Sequence, residues 1–323
     1  MKQQIEPLVS VGVASFNNAA YIRETLNSIR GLHYSNLEII IVDDASHDAS
    51  IAVIEGWLAE NSALNARLIA LPVNKGLCHV CNTFVRESKG KYCTLIGSDD
   101  IYLPNKLATQ VPVLEAAGPE AGVVFSDLSK IDPQGNTIVA SIYDSGQIIP
   151  AEGDVWLSLL RANFIGTMTT LVRRSSLEKV GPYDESLVYE DWDMWLRLSR
   201  VCKFIYQPEV TALYRIHGNS FMHKRYRQIV ESNMRILSKH LGVSAEADAI
   251  IGKHFAQYSE ELYRLGSTES VRWLKERRRL FPDRRGLALL WLAKLGIPAN
   301  ALVRANAVVS QLVGKPRKEN EAV

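Results

Sequence analysis

The run Leu37-Glu38-Ile39-Ile40-Ile41-Val42 stops on the acidic pair Asp43-Asp44. A short β-branched run that ends in charge is the mark of a buried strand whose last residues reach the edge of a sheet. The same pattern stands on either side of it. Leu8-Val9-Ser10-Val11-Gly12-Val13-Ala14 leads into the turn Ser15-Phe16-Asn17-Asn18. Tyr92-Cys93-Thr94-Leu95-Ile96 leads through Gly97-Ser98 into a second acidic pair, Asp99-Asp100. Residues 67–71 supply a further short strand. Between the strands the spacing changes to that of helices, with Tyr21, Ile22, Leu26 and Ile29 on one face and Ile51, Ile54 and Leu58 on the next. Residues 77–88 continue the series. The alternation predicts an α/β fold with a mostly parallel, Rossmann-like sheet and helices on both faces.

A third acidic pair, Glu190-Asp191, precedes the helix-like Trp192-Asp193-Met194-Trp195-Leu196-Arg197-Leu198. Adjacent carboxylates repel and lose hydration at a cost, so they rarely serve packing. At the strand ends of an α/β sheet they converge on one crevice, which suits a cation, a nucleotide and a hydroxyl acceptor.

Composition narrows the class. The 323 residues are 47% hydrophobic and 22% charged, an ordinary globular balance rather than disorder. A net charge of +2 gives no polyanion signal, and no nucleic-acid partner is expected. Residues 1–7 are polar and no run of 18 apolar residues occurs, so a cytoplasmic protein is expected, with a peripheral place on the inner face of a membrane left open. Cys78-His79-Val80-Cys81 resembles half a zinc site but lacks a second pair, which leaves packing cysteines in a reducing compartment.

Beyond Asp100 the pattern loosens. Residues 122–126 form a strand and Ile131-Asp132-Pro133-Gln134-Gly135-Asn136 a hairpin turn. After about His223 only helical spacing remains, interrupted by Pro282 and Pro298. The expected division is 1–222 for the α/β domain (1–110 for a nucleotide, 111–222 for an acceptor), 223–313 for a helical domain that includes a helix over 299–313, and 314–323 for a disordered tail. Leu287 to Leu295 is unusually apolar and follows a basic cluster around Arg277-Arg278-Arg279. Burial, a homodimer contact and docking on lipid all remain open for it, and a solvated face or a partner surface for the cluster.

Six motifs in order carry a resemblance: Val9 to Asn17, Ile41 to Asp48, Asn74-Lys75-Gly76, Ser98-Asp99-Asp100, Glu190-Asp191 and Tyr214-Arg215-Ile216-His217. Over about residues 7–220 the chain resembles the inverting, family 2 glycosyltransferases with the GT-A fold. The resemblance implies a nucleotide diphosphate sugar as donor, with UDP first and dTDP or GDP as alternatives. It implies a glycan or lipid-linked glycan as acceptor. Ala14 and Phe16 would meet the base, with Phe16 packing on its face. Asp44, supported by Asp43, would accept the imide N–H. Lys75 and Gly76 would lie near the diphosphate, Ser98 would meet the nucleotide sugar, and Asp99 would meet the ribose hydroxyls or a metal-bound water. Asp100 and His217 would serve a divalent metal, Mn²⁺ or Mg²⁺, with Arg215 beside the donor. Asp191, supported by Glu190, would take the proton of the acceptor hydroxyl. Gly97 departs from the fuller Asp-x-Asp-Asp form, which removes one acid.

Blander roles compete at several of these positions: core packing for Phe16, Trp192 and Trp195, and helix capping for Asp44, Ser46 and the Glu190-Asp191 pair. Among functions, an oxidoreductase lacks its Gly-x-Gly-x-x-Gly after the first strand. A metal-dependent nucleotidyltransferase would need neither Glu190-Asp191 nor Tyr-Arg-x-His. A binding-only relative would have no use for three costly acidic pairs.

Overall fold

The computed structural model describes residues 6–218 and 225–299. The chain divides into two compact units, Met1–Lys224 and Arg225–Val323. The expected boundary at 222/223, most of the helix expected over 299–313 and the tail 314–323 lie outside the described residues.

The first unit opens with the expected alternation: β1 (Val9–Ser15), α1 (Ile22–Arg30), β2 (Leu37–Asp43), α2 (Ser50–Glu60), β3 (Ala66–Ala70), α3 (Leu77–Glu87) and β4 (Tyr92–Gly97). These strands pair in parallel in the order β3-β2-β1-β4. Val9, Val11, Val13, Ile39 and Ile41 are buried against Ile22, Leu26, Ile29, Ile54 and Trp57 in one core.

The second half of the unit follows as β5 (Ile101–Tyr102), α4 (Lys106–Ala116), β6 (Ala121–Ile131), β7 (Thr137–Val139), α5 (Trp156–Arg161), a 3-10 turn (Thr167–Thr169), β8 (Leu171–Arg173), α6 (Arg174–Val180), α7 (Asp191–Leu198) and β9 (Lys203–Arg215). The sheet continues β4-β8-β6-β9-β5, with β7 pairing β6 through the expected hairpin. β8, β7 and β5 run antiparallel to their neighbours, while β6 and β9 pair in parallel. Helix α4 forms despite Pro112 within it, because Leu107, Val111 and Leu114 are buried in the core. That apolar stripe outweighs the lost backbone donor.

Cys78 and Cys81 pack inside α3, and the Cys78 thiol donates to the Leu187 and Tyr189 carbonyls just ahead of the third acidic pair.

The second unit contains α8 (Tyr226–Ser238), α9 (Ala245–Arg264), α10 (Ser270–Leu280) and α11 (Arg284–Lys294). Ser244 and Asp283 cap α9 and α11 by accepting from the Ala247 and Gly286 N–H groups. The basic cluster is not all on the surface. Arg277 is buried and grips Asp283 through two bonds of 2.8 and 2.9 Å. Helix α11 buries Leu290, while Trp291 and the following Leu295 stand 57% and 70% exposed. The apolar run is therefore only half covered within the described residues.

Gly12 lies where α3 presses on the sheet. A Cβ there would sit 2.7 Å from the Leu95 side chain and from the Phe84 ring. Gly12→Ala should overpack this layer and cost about 1–3 kcal/mol. The check is a fall in the urea midpoint at unchanged slope.

Candidate active site

The acidic motifs meet because three parallel strands end in register. Ser15 lies opposite Asp43, and Ala14 lies opposite both Val42 and Gly97. The chain then crosses from strand to strand: Ser98 N–H donates to the Ala14 carbonyl at 3.0 Å and Asp44 N–H to the Ser15 carbonyl at 2.9 Å. The crevice at these carboxyl ends is where an α/β sheet takes its ligand.

The turn after β1 is laced to the loop after β2. Asn17 N–H donates to Ser46 Oγ at 2.8 Å, His47 N–H to Asn17 Oδ1 at 2.7 Å, and Ala19 N–H to Asp48 Oδ2 at 2.9 Å. Both Asn17 and Ala45 are left-handed, with φ of 52° and 59°. That conformation costs an L-residue about 1–2 kcal/mol, so the lacing holds the backbone against its own preference. Phe16 beside them is 39% exposed, which removes the core-packing alternative.

Within the first pair the two acids do different work. Asp43 is fully buried and accepts from Ser15 Oγ, Ser46 N–H and Ser46 Oγ at 2.7–2.8 Å, which makes it a brace. Asp44 accepts from the Lys75 and Gly76 N–H groups at 2.7 and 2.9 Å. It joins the Asn74-Lys75-Gly76 turn to the β2 end rather than capping α2. Gly76, at φ 90°, supplies a backbone shape that favours glycine. The Lys75 side chain is exposed. A carboxylate has about four lone-pair sites, so Asp44 retains acceptor capacity.

The second pair sits on a floor made by Arg215. Arg215 N–H donates to Asp100 Oδ1 at 2.9 Å. Its guanidinium donates to the Asp99, Asp132 and Pro133 carbonyls and to Glu24 Oε2, and lies over the Tyr21 ring at 4.8 Å. Only 1% of the residue is exposed. Arg215 therefore holds the site from beneath, which corrects the expectation that it meets the donor: four of its five N–H donors are already engaged. Ser98 Oγ accepts from Asn18 Nδ2 at 2.8 Å, tying this loop to the first turn.

His217, expected to serve the metal with Asp100, bonds Asp99, with Nε2 at 2.9 Å from Oδ2. Its ring packs on Tyr21 at 5.1 Å. Asn17, Asn18, Tyr21, Asp48, Pro133 and His217 line a cleft of about 640 Å³.

Burial, and then the Asp99 charge, push the Asp100 carboxyl well above the ordinary carboxylate range. A Cβ on Gly97 would stand 2.8 Å from Asp99 Oδ1 and 3.3 Å from Asp100 Oδ2, so one oxygen of each acid crowds the space that Gly97 leaves empty. Among the described residues no three His, Cys, Asp or Glu side chains stand together as a metal cage. Two close carboxylates short of positive charge do fit a hard cation that takes its remaining ligands from phosphate and water.

The third pair opens α7. Glu190 occupies the capping position, yet its side chain makes no cap. Glu190 Oε1 instead accepts from Thr167 Oγ1 at 2.6 Å, and Asp191 Oδ1 from Asn163 Nδ2 at 2.9 Å. Both acids keep a partial opening to solvent. Burial pushes Glu190 up, and burial followed by the Glu190 charge pushes Asp191 well up. A carboxylate so placed is a stronger base than a free one. Trp192 and Trp195 are buried and donate to the Leu159 and Ile165 carbonyls, which makes them core.

Tyr214 links the second and third pairs. Burial first, then Asp100, Asp99, Asp191 and Glu190, push its phenol up to about 12. Nothing in the sequence marks Tyr214 beyond its place in Tyr-Arg-x-His. Asn163 and Thr167 were also missed, since they lie in a stretch with no regular period.

This architecture matches known proteins. The model of glycosyl transferase family 2 matches residues 10–181, just over half of the chain. An uncharacterised glycosyltransferase of Rickettsia prowazekii is 29% identical over 234 residues, 72% of this chain and 71% of the relative. The Escherichia coli WfaP, a UDP-Glc:α-D-GlcNAc-diphosphoundecaprenol β-1,3-glucosyltransferase, is 26% identical over 242 residues, 74% of this chain and 88% of the relative. Among solved structures, the mannosyltransferase PcManGT from Pyrobaculum calidifontis, in complex with GDP-Man and Mn²⁺, aligns with a TM-score of 0.61 at 18% identity, over 94% of this chain and 84% of its own. The chain belongs to glycosyl transferase family 2 and has the GT-A fold.

Proposed function

We propose that this glycosyltransferase moves a sugar from a UDP-sugar to a hydroxyl of a glycan or lipid-linked glycan, with inversion, in the synthesis of a surface polysaccharide or glycoconjugate. The observation that carries the reading is the meeting of the Asp43-Asp44 and Asp99-Asp100 motifs at the carboxyl ends of β1, β2 and β4, in a chain that belongs to glycosyl transferase family 2.

In this reading residues 1–110 hold the nucleotide. Phe16 packs on the base, the Ala14 backbone meets its edge, and Asp44 accepts the imide N–H that uracil and thymine present. Ser98 and Asp99 face the ribose, with His217 holding Asp99. Lys75 and Gly76 lie on the diphosphate side. Asp100, with Asp99, would hold a divalent cation, Mn²⁺ or Mg²⁺. The cation would neutralise charge on the departing diphosphate. The PcManGT complex with Mn²⁺ supports such a use of the fold.

Residues 111–222 bring the acceptor to the acids. A sugar hydroxyl is a poor nucleophile at neutral pH, and Asp191 takes its proton as the new bond forms at the anomeric carbon. Glu190 keeps Asp191 basic through its charge, while Asn163 fixes the direction of one Asp191 oxygen. A single displacement from the face opposite the diphosphate inverts the configuration. The WfaP relationship supports a lipid-diphosphate acceptor. No helix among the described residues is long and apolar enough to cross a membrane. The half-exposed α11, with Trp291 and Leu295 beside basic residues, supports a peripheral contact with an anionic lipid surface or a second copy of the chain.

Asp191→Asn should lower turnover by about 10²–10⁴-fold while calorimetric donor affinity stays near that of the parent. Joint loss of binding and turnover would remove Asp191 from the role of base. The pH profile has a definite sign. The base works only when ionised, so turnover falls as pH drops through the raised Asp191 value. Glu190→Gln deletes a charge that raises this value, and the acidic limb of kcat should move to lower pH. A limb that stays put or rises contradicts the pairing. Chelation should suppress turnover and added Mn²⁺ or Mg²⁺ restore it; full activity in chelator would remove the metal from the scheme.

A further inference from the structure

Lys106 is fully buried at the start of α4, and among the described residues no carboxylate meets it. Its Nζ donates to Gln110 Oε1 at 2.9 Å and to the Thr170 carbonyl at 3.2 Å, and lies 4.9 Å from the centre of the Tyr102 ring. Burial holds the amine well below the ordinary lysine range. A buried amine without a counter-charge is costly, and apolar residues of the same volume would often pack there with a gain in stability. What they cannot do is grip backbone carbonyls.

Gripping carbonyls is what this group does. Gln110, oriented by Lys106, donates from Nε2 to the Thr169 carbonyl at 2.7 Å. The Thr170 carbonyl also accepts from Thr94 Oγ1 at 2.6 Å. Two successive carbonyls are therefore held from α4 and β4. Further upstream, Tyr143 Oη donates to the Phe164 carbonyl and Trp195 Nε1 to that of Ile165. The segment 163–170 so held presents Thr167 Oγ1 to Glu190 and Asn163 Nδ2 to Asp191. It is a shelf, and two of its polar side chains, Thr167 and Asn163, each rest on one acid of the third pair.

We propose that Lys106, acting through Gln110 on the Thr169 and Thr170 carbonyls, is a positioning residue for the Glu190-Asp191 pair. It fixes the height of the shelf and so the direction of both carboxyls. The inference rests on the reading of Asp191 as the base. Because Lys106 follows Asp100 by six residues, the element that leaves the diphosphate-side motif also sets the acceptor-side acids.

The test uses the full chain with Lys106→Met, Thr167→Val, the double variant and Asp191→Asn. UDP-glucose, UDP-N-acetylglucosamine and GDP-mannose serve as donors with water as acceptor, and release of the nucleoside diphosphate is measured. Lys106→Met should lower kcat by about 10–100-fold with donor KM within about twofold. The double variant should be no slower than the slower single, since both act through the same shelf. Amide exchange over 163–170 should quicken in Lys106→Met while β1 and β2 keep their protection. Exchange needs no substrate, so it tests the shelf even where no donor turns over. Unchanged exchange, unchanged kcat, or losses that multiply in the double variant would each overturn the proposal. Should Lys106→Met fail to fold, Gln110→Leu carries the same expectations. Activity retained in Asp191→Asn would instead overturn the base assignment, which a silent Lys106→Met beside a dead Asp191→Asn would leave standing.

Discussion

Carboxylates drawn away from water are the constraint around which the first unit is arranged. A buried acid must find N–H donors, hydroxyls or a cation, or else give up its charge. The number of donors that the fold grants each acid separates their tasks. Asp43 receives three and is saturated in purpose, a brace between β1, β2 and the Ser46 turn. Asp44 receives two backbone N–H groups and gains a neighbouring turn. Asp100 receives one backbone N–H and a like charge beside it, so it stays short of positive potential. Glu190 and Asp191 each receive one side-chain donor, and Asp191 also leans on backbone N–H groups at the start of α7, but burial and the Glu190 charge outweigh these and keep Asp191 basic. The balance of donors against burial and like charge separates scaffold from chemistry.

Much of this was legible in the sequence because parallel strands speak clearly. β1, β2 and β4 are nearly continuous apolar runs, and the acidic ends of β2 and β4 fall at the carboxyl edge of the sheet by register alone. The second half was harder to read for specific reasons. Pro112 argues against α4, and only the buried stripe around it overrides that argument. β9 carries Pro208 and shifts register against β6 after Ser126, so its thirteen residues do not alternate cleanly. Arg215 and His217 stand two apart in sequence yet do opposite things, one locked under the Asp99-Asp100 loop and the other lining the cleft. The family resemblance implied that Arg215 served the donor and His217 the metal. It could not say which of them faced outward, because that depends on Glu24, Asp132 and Pro133, far away along the chain.

The acceptor side is built differently. No strand end fixes Glu190-Asp191. The pair starts a helix whose tryptophans reach back to the Leu159 and Ile165 carbonyls, and whose approach is held by the Cys78 thiol. Irregular backbone therefore carries precise direction only because side chains from many elements take up its carbonyls. Such an arrangement leaves little trace in periodicity, since each contributor looks like an ordinary core residue of its own helix or strand.

Gly97 sets the aim of the second pair. Its missing side chain leaves space that one oxygen each of Asp99 and Asp100 occupies, and a Cβ there would come within 2.8 Å of a carboxylate oxygen. Those oxygens are the free ends of flexible side chains, so a side chain at position 97 would swing the two acids aside and leave the backbone in place. The glycine is thus part of the carboxylate geometry, and bulk at this position acts on direction before it acts on stability.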